Sequence, residues 1–136
     1  MRTRQLLPPI LVVLLATDLL GGVIDVLAGR SSWASAWGPD ATLCAPLPMI
    51  GFQIITVLAA TRARGRAGRI AASLLALACF ASLLSGFFDG QLGRADLAPG
   101  EVVFQAWLLV VTAGLGALAL AFPVARINFT RADERA

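Results

Sequence analysis

Carboxylates are the residues of this chain whose type and position could support chemistry. Asp18, Asp25 and Asp89 lie inside long apolar runs. A charged side chain in the middle of a bilayer costs about 2.5 to 3.5 kcal/mol on insertion scales, so such residues mark functional sites by default. Two carboxylates that converge also couple, so that one can hold a proton while its partner is ionised. We therefore predict that Asp25, Asp89 and Asp18 are catalytic, as acid and base.

Other chemistries have little support in the composition. The chain has no histidine, which removes the commonest metal ligand and the usual acid-base residue. Its two cysteines are Cys44, in a predicted outer loop, and Cys79, in an apolar helix. We predict that they are unpaired, because their expected depths differ, and that neither has a redox role. The sequence thus predicts no metal and no cofactor.

The elements that position these acids are predicted to be transmembrane helices. The chain of 136 residues is 58% hydrophobic and only 14% charged, whereas soluble domains are about 25% charged. A bilayer core requires about 20 apolar residues per helix. We predict a single all-α membrane domain, a bundle of transmembrane helices at about residues 6–28, 43–61, 70–90 and 101–125.

The arginines predict the orientation of this bundle. They flank the first and last spans and fill loop 62–69, whereas loops 29–42 and 91–100 hold few. Because cytoplasmic loops carry the excess of positive charge, we predict that both termini are cytoplasmic. Contact with lipid headgroups explains the arginines better than nucleic acid does. The use of Arg without Lys, with abundant Ala, Gly and Leu, is typical of GC-rich bacterial genomes and predicts a bacterial plasma membrane.

An internal repeat links two of the acids. The segment Leu19–Arg30 aligns without gaps to Leu83–Arg94, and the matches include Asp25 with Asp89 and Arg30 with Arg94. The second and fourth spans share a Phe-Gln pair that ends in Gln53 and Gln105. We predict two parallel hairpins, at about 6–61 and 70–125, related by a pseudo-two-fold axis along the membrane normal. The alternative is chance similarity between helices rich in Leu and Gly.

The repeat and the outer loops supply candidate binding residues. Small residues on the same helix face as the acids predict that the acids face the bundle interior, with Asp18 opposite Ser82. Tryptophans in the first outer loop are interface anchors or a lid over an outer pocket. The predicted substrate-binding residues are Gln53, Gln105, Arg30, Arg94, Glu101, Trp33 and Trp37.

Three functions fit this pattern. The first is a cofactor-free enzyme that isomerises, cyclises or opens the epoxide of a lipophilic small molecule, using paired aspartates. The second is a proton- or cation-coupled transporter, which would need a homodimer because a bundle of this size rarely encloses a pathway alone. The third is a structural or partner-binding subunit, in which the acids pair with Arg30 and Arg94.

Overall fold

The apolar stretches of the chain form long α-helices. In this computed structural model α1 spans Arg2–Leu27, α2 Leu47–Arg62, α3 Arg66–Phe88 and α4 Pro99–Asp133. The structure describes residues 2–39, 41–63, 65–88 and 94–133, and every regular element within these ranges is a helix. The prediction of an all-α protein is confirmed. The predicted catalytic residue Asp89 lies outside the described residues.

Three of the four helices are long and apolar enough to cross a bilayer, over Arg4–Leu27, Arg66–Gly86 and Pro99–Ala121. Together with the composition, these lengths indicate a membrane protein. The helix α2 has 16 residues. At 1.5 Å per residue it is about 24 Å long, which is shorter than a bilayer core of about 30 Å.

The shortness of α2 has a local cause. The apolar run predicted a helix from residue 43, yet α2 begins at Leu47. Pro46 precedes it in an extended conformation, with φ −65° and ψ 148°. The backbone N–H groups of Thr42 and Leu43 donate to a side chain of α1. These residues are therefore held against α1 and do not extend α2. We call residues 42–46 the strap.

The helices pack as a ring in which α1 and α3 each contact α2 and α4. Helices α1 and α3 therefore lie diagonally opposite each other, and a cavity on the axis can be lined from every side. Toward the N-terminal end of α1 the axis is filled by apolar side chains, namely Leu7, Leu11, Leu14, Val57, Leu75, Leu115 and Ala119. Toward the other end of α1 the interior becomes polar, and the candidate residues lie there.

Candidate functional site

The strap runs antiparallel to α1 and is held by two of its aspartates. Asp25 Oδ2 accepts hydrogen bonds from the backbone N–H groups of Thr42 at 3.0 Å and Leu43 at 3.1 Å. Nearer the start of α1, Asp18 Oδ1 accepts a hydrogen bond from Ala45 N–H at 2.8 Å. Non-helical backbone at membrane depth is tolerated only where its polar groups are satisfied inside the protein. The spacing of Asp18 and Asp25 therefore matches the backbone donors of the strap.

Adjacent glycines of α1 allow this close approach. A Cβ added at Gly21 would overlap the backbone carbonyl of Leu43, and one added at Gly22 would overlap the indole ring of Trp37. The same indole donates from Nε1 to the backbone oxygen of Asp18 at 3.2 Å. Trp37 is thus half-buried against α1 and is part of the packing between the loop and the helix.

Ion pairs tie the end of α1 to the start of α4. Arg30 donates from Nε to Asp25 Oδ1 at 2.9 Å, and from Nη1 and Nη2 to the two oxygens of Glu101 at 3.1 and 2.7 Å. Glu101 Oε2 also accepts from the backbone N–H of Ala98 at 2.8 Å. The carboxylate of Glu101 raises the pKa of Arg30 above its ordinary value, against the opposing effect of burial. We call Asp25, Arg30 and Glu101 the rim network.

A separate polar cavity of about 200 Å³ lies on the bundle axis beneath the strap. Asp18 of α1 lines it opposite Ser82 of α3, and Gln53 of α2 lines it opposite Gln105 of α4. Ser85, Thr112, Cys44 and several strap residues complete the wall. Asp25 is not among the lining residues, and both of its oxygens are already hydrogen-bonded. Among the acids that the structure describes, Asp18 is the one that lines the cavity.

The cavity contains two unsatisfied buried oxygens. Asp18 and Gln53 are each only 1% exposed. Asp18 Oδ2 and Gln53 Oε1 have no hydrogen-bond partner among the described residues. Leaving a buried acceptor unpaired costs about 1–3 kcal/mol, and more for a charged group. Both oxygens are thus unused acceptors on residues that line the cavity.

The remaining predicted site residues lie elsewhere. Arg94 pairs with Asp96 at 3.0 Å, and the two side chains are 44% and 48% exposed. Trp33 is 62% exposed and is separate from the cavity lining.

Sequence reasoning missed the strap and the lining residues Ser85 and Thr112. The signal for the strap was present in Pro39, Pro46 and Pro48, which interrupt the apolar stretch before α2. Proline has no N–H and restricts the residue before it to extended conformations, so a helix through this segment was disfavoured. Ser85 and Thr112 are isolated polar residues on apolar helices, and only the packing shows which way they face.

The chain matches no protein-family model, and no curated protein or solved structure is significantly similar to it. The function is therefore inferred from the geometry of the site.

Replacing Asp18 with Asn is expected to stabilise the fold. Asparagine keeps an oxygen for the N–H of Ala45 and places an NH₂ donor where Oδ2 now lies unpaired. We expect the free energy of unfolding to rise by about 1–3 kcal/mol, since a neutral amide costs less to bury than a carboxylate with one unpaired oxygen. Thermal unfolding in a nonionic detergent measures the change. The control Asp96→Asn, on the surface, should stay within about 0.5 kcal/mol of wild type. A less stable Asp18→Asn protein would contradict the argument.

Proposed function

We propose that this protein takes a lipophilic small molecule into the cavity beside Asp18 and acts on it as a cofactor-free acid-base enzyme. The observation that carries the proposal is the pair of buried oxygens, Asp18 Oδ2 and Gln53 Oε1, which share one cavity and have no partner among the described residues. An unsatisfied buried polar group in a native protein has a physical cause, and a catalytic role or a bound molecule is among the recognised ones.

In this proposal Asp18 alone replaces the predicted pair of aspartates. Its Oδ1 is fixed by the N–H of Ala45, which orients the carboxyl group and leaves Oδ2 unpaired on a residue that lines the cavity. As a carboxylate, Oδ2 removes a proton from the substrate, and the resulting acid returns a proton at another atom. Such an isomerisation conserves the atoms of the substrate. Gln53 and Gln105 hold the substrate's polar group.

The size of the cavity limits the substrate. Sites for drug-sized ligands are about 300–1,000 Å³, whereas this cavity is about 200 Å³. The substrate is therefore a small molecule, or the polar end of a longer one whose tail remains in lipid. The rim network plays a structural part, because the oxygens of Asp25 and Glu101 are occupied by Arg30 and by backbone donors.

Transport has less support from the described residues. A proton or cation pathway needs polar groups through the full depth of the bundle. The axis between the cavity and the N-terminal end of α1 is filled instead by apolar side chains such as Leu7, Leu11 and Leu75. Among the described side chains, none gives a substrate in the cavity a polar route to that end.

The enzyme proposal is tested with lipid extracts from cells that lack the protein, because these accumulate the substrate. Purified wild-type protein in detergent should convert one component, observed by mass spectrometry as an isomer, or as a product that has gained water if an epoxide opens. Asp18→Asn should slow this conversion by about 100-fold or more, the usual contribution of a general acid or base. Asp96→Asn should match wild type. Equal conversion by Asp18→Asn and wild type would refute acid-base catalysis by Asp18.

We also propose that both termini are in the cytoplasm of a bacterial cell and that α2 completes the crossing together with the strap. The distribution of arginines supports this orientation. The aligned segments Leu19–Arg30 and Leu83–Arg94 support descent from a duplicated hairpin. Fusion of alkaline phosphatase to the C-terminus should give an inactive reporter, and fusion after residue 38, in the first outer loop, an active one. The opposite pattern would reverse the orientation.

A further inference from the structure

We infer that the molecule bound beside Asp18 is a lipophilic amine, held as its ammonium cation. This inference rests on the proposed site and names the class of its ligand. It follows from which donors, acceptors and charges of the cavity wall remain free.

Several donors of the wall are used inside the protein, and two of its other side-chain donors, the amide group of Gln53 and the hydroxyl group of Ser82, are neutral. The backbone N–H groups of Thr42 and Ala45 are bonded to Asp25 and Asp18. The hydroxyl groups of Ser85 and Thr112 donate to the backbone oxygens of Ser82 and Leu108 at 3.1 and 2.8 Å.

The wall also contains one cysteine and two prolines. The thiol of Cys44 donates to the oxygen of Ala36 at 3.2 Å. Pro39 and Pro46 also line the cavity, and proline has no N–H to donate.

Acceptors of the wall, in contrast, remain available. Asp18 Oδ2 and Gln53 Oε1 are unpartnered among the described residues. The hydroxyl oxygens of Ser85 and Thr112 keep lone pairs after donating their hydrogens. Asp18 Oδ2 is the one of these acceptors that can carry a negative charge, and an ammonium group, which offers only donors and a positive charge, complements it. An alcohol can bond to the same acceptors but leaves the charge of a buried carboxylate unbalanced.

The charge balance of the site points to a cation as well. No arginine is among the described residues that line the cavity, and the nearby Arg30 is shared between Asp25 and Glu101. The side chain of Asp18, in contrast, accepts its one assigned hydrogen bond among the described residues from a backbone N–H, that of Ala45, and not from a cation. A monovalent cation beside Asp18 would neutralise the buried carboxylate.

An organic cation fits better than a metal ion. Among the described residues no group of three or more Asp, Glu, Cys or His side chains could hold a metal. Most of the remaining wall is apolar, including Leu14, Leu83 and Leu109, and suits the hydrocarbon part of an amine.

The test compares benzylamine with benzyl alcohol, which match in size and differ in the donor group. Each is titrated by calorimetry into the detergent-solubilised protein near neutral pH, in phosphate buffer without amine buffers such as Tris. Titration into protein-free micelles corrects for partitioning. We expect wild type to bind benzylamine about tenfold or more tightly than benzyl alcohol, as expected when a hydrogen bond becomes charge-assisted.

Variants test whether the preference for benzylamine depends on Asp18 and Gln53. Asp18→Asn should remove it, and Asp96→Asn should leave it unchanged. Gln53→Leu should weaken benzylamine binding several-fold and serves as a second test should Asp18→Asn not fold.

The outcomes separate this inference from the proposed function. Equal affinity for benzylamine and benzyl alcohol, lost in Asp18→Leu, would overturn the amine inference and leave the proposed site standing. Binding of neither compound, or binding that Asp18→Asn and Gln53→Leu do not alter, would overturn both. A tenfold loss of benzylamine affinity when NaCl replaces choline chloride would overturn the organic cation in favour of sodium.

Discussion

Gly21→Ala is expected to displace the strap and to lower the free energy of unfolding by about 3 kcal/mol or more. The added methyl group would overlap the backbone carbonyl of Leu43, and backbone cannot move aside as a flexible side chain can. Moving the strap away also breaks the hydrogen bonds from Leu43 and Ala45 to Asp25 and Asp18. Each buried donor left unpaired costs about 1–3 kcal/mol.

Two measurements detect this displacement of the strap. Thermal unfolding in detergent reports stability, and maleimide labelling of Cys44 with peptide mapping reports the position of the strap. In wild type the thiol is buried and donates to the backbone oxygen of Ala36, so labelling should be slow. In Gly21→Ala we expect Cys44 to label readily.

Gly114→Ala provides the matched control, because a Cβ at that glycine of α4 meets no atom within 4 Å. Alanine is favoured over glycine in a helix by up to about 1 kcal/mol, so this variant should be as stable as wild type or more so. If Gly21→Ala behaved like Gly114→Ala, with Cys44 still protected, the close packing of the strap on α1 would be disproved.

Asp25→Ala is expected to lower the free energy of unfolding by about 2–5 kcal/mol. The change removes the acceptor for two backbone N–H groups of the strap and one of the two carboxylates that hold Arg30. Removing one partner of a buried ion pair leaves its other groups unsatisfied. The stability of Asp25→Asn should lie between those of wild type and Asp25→Ala. Asparagine keeps one oxygen as an acceptor, but its NH₂ group replaces the other oxygen and faces groups that are donors themselves.

The comparison for this variant is Asp96→Ala, which breaks the exposed ion pair with Arg94. Exposed pairs contribute about 0–1 kcal/mol, so this variant should unfold close to wild type. Asp25→Asn that folds should also retain the preference for benzylamine, because Asp25 does not line the cavity. Loss of that preference in a folded Asp25→Asn protein would return Asp25 to the binding site.

The helices illustrate what can be predicted from local pattern. Long apolar runs predict helices because, in lipid, backbone groups must bond within their own segment. This reasoning places α1, α3 and α4 in the sequence, and it overestimates the length of α2. The helix α2 begins only at Leu47, because the backbone before it, from Leu43 onward, bonds to α1 instead. Hydropathy measures the side chains of the strap, whereas its conformation depends on where its N–H groups find acceptors.

The candidate site shows the same difference between what the sequence pattern predicts and what the packing decides. On α1 the sequence singles out Asp18 and Asp25, because ionisable groups are costly within an apolar run. It cannot distinguish between them, since both lie on one face of α1. Only the tertiary structure decides that Asp25 is satisfied by Arg30 and the strap, while Asp18 keeps one oxygen free in a cavity with Gln53. The physical reason is that the partners of a buried carboxylate come from residues distant in the chain, and these are positioned by packing.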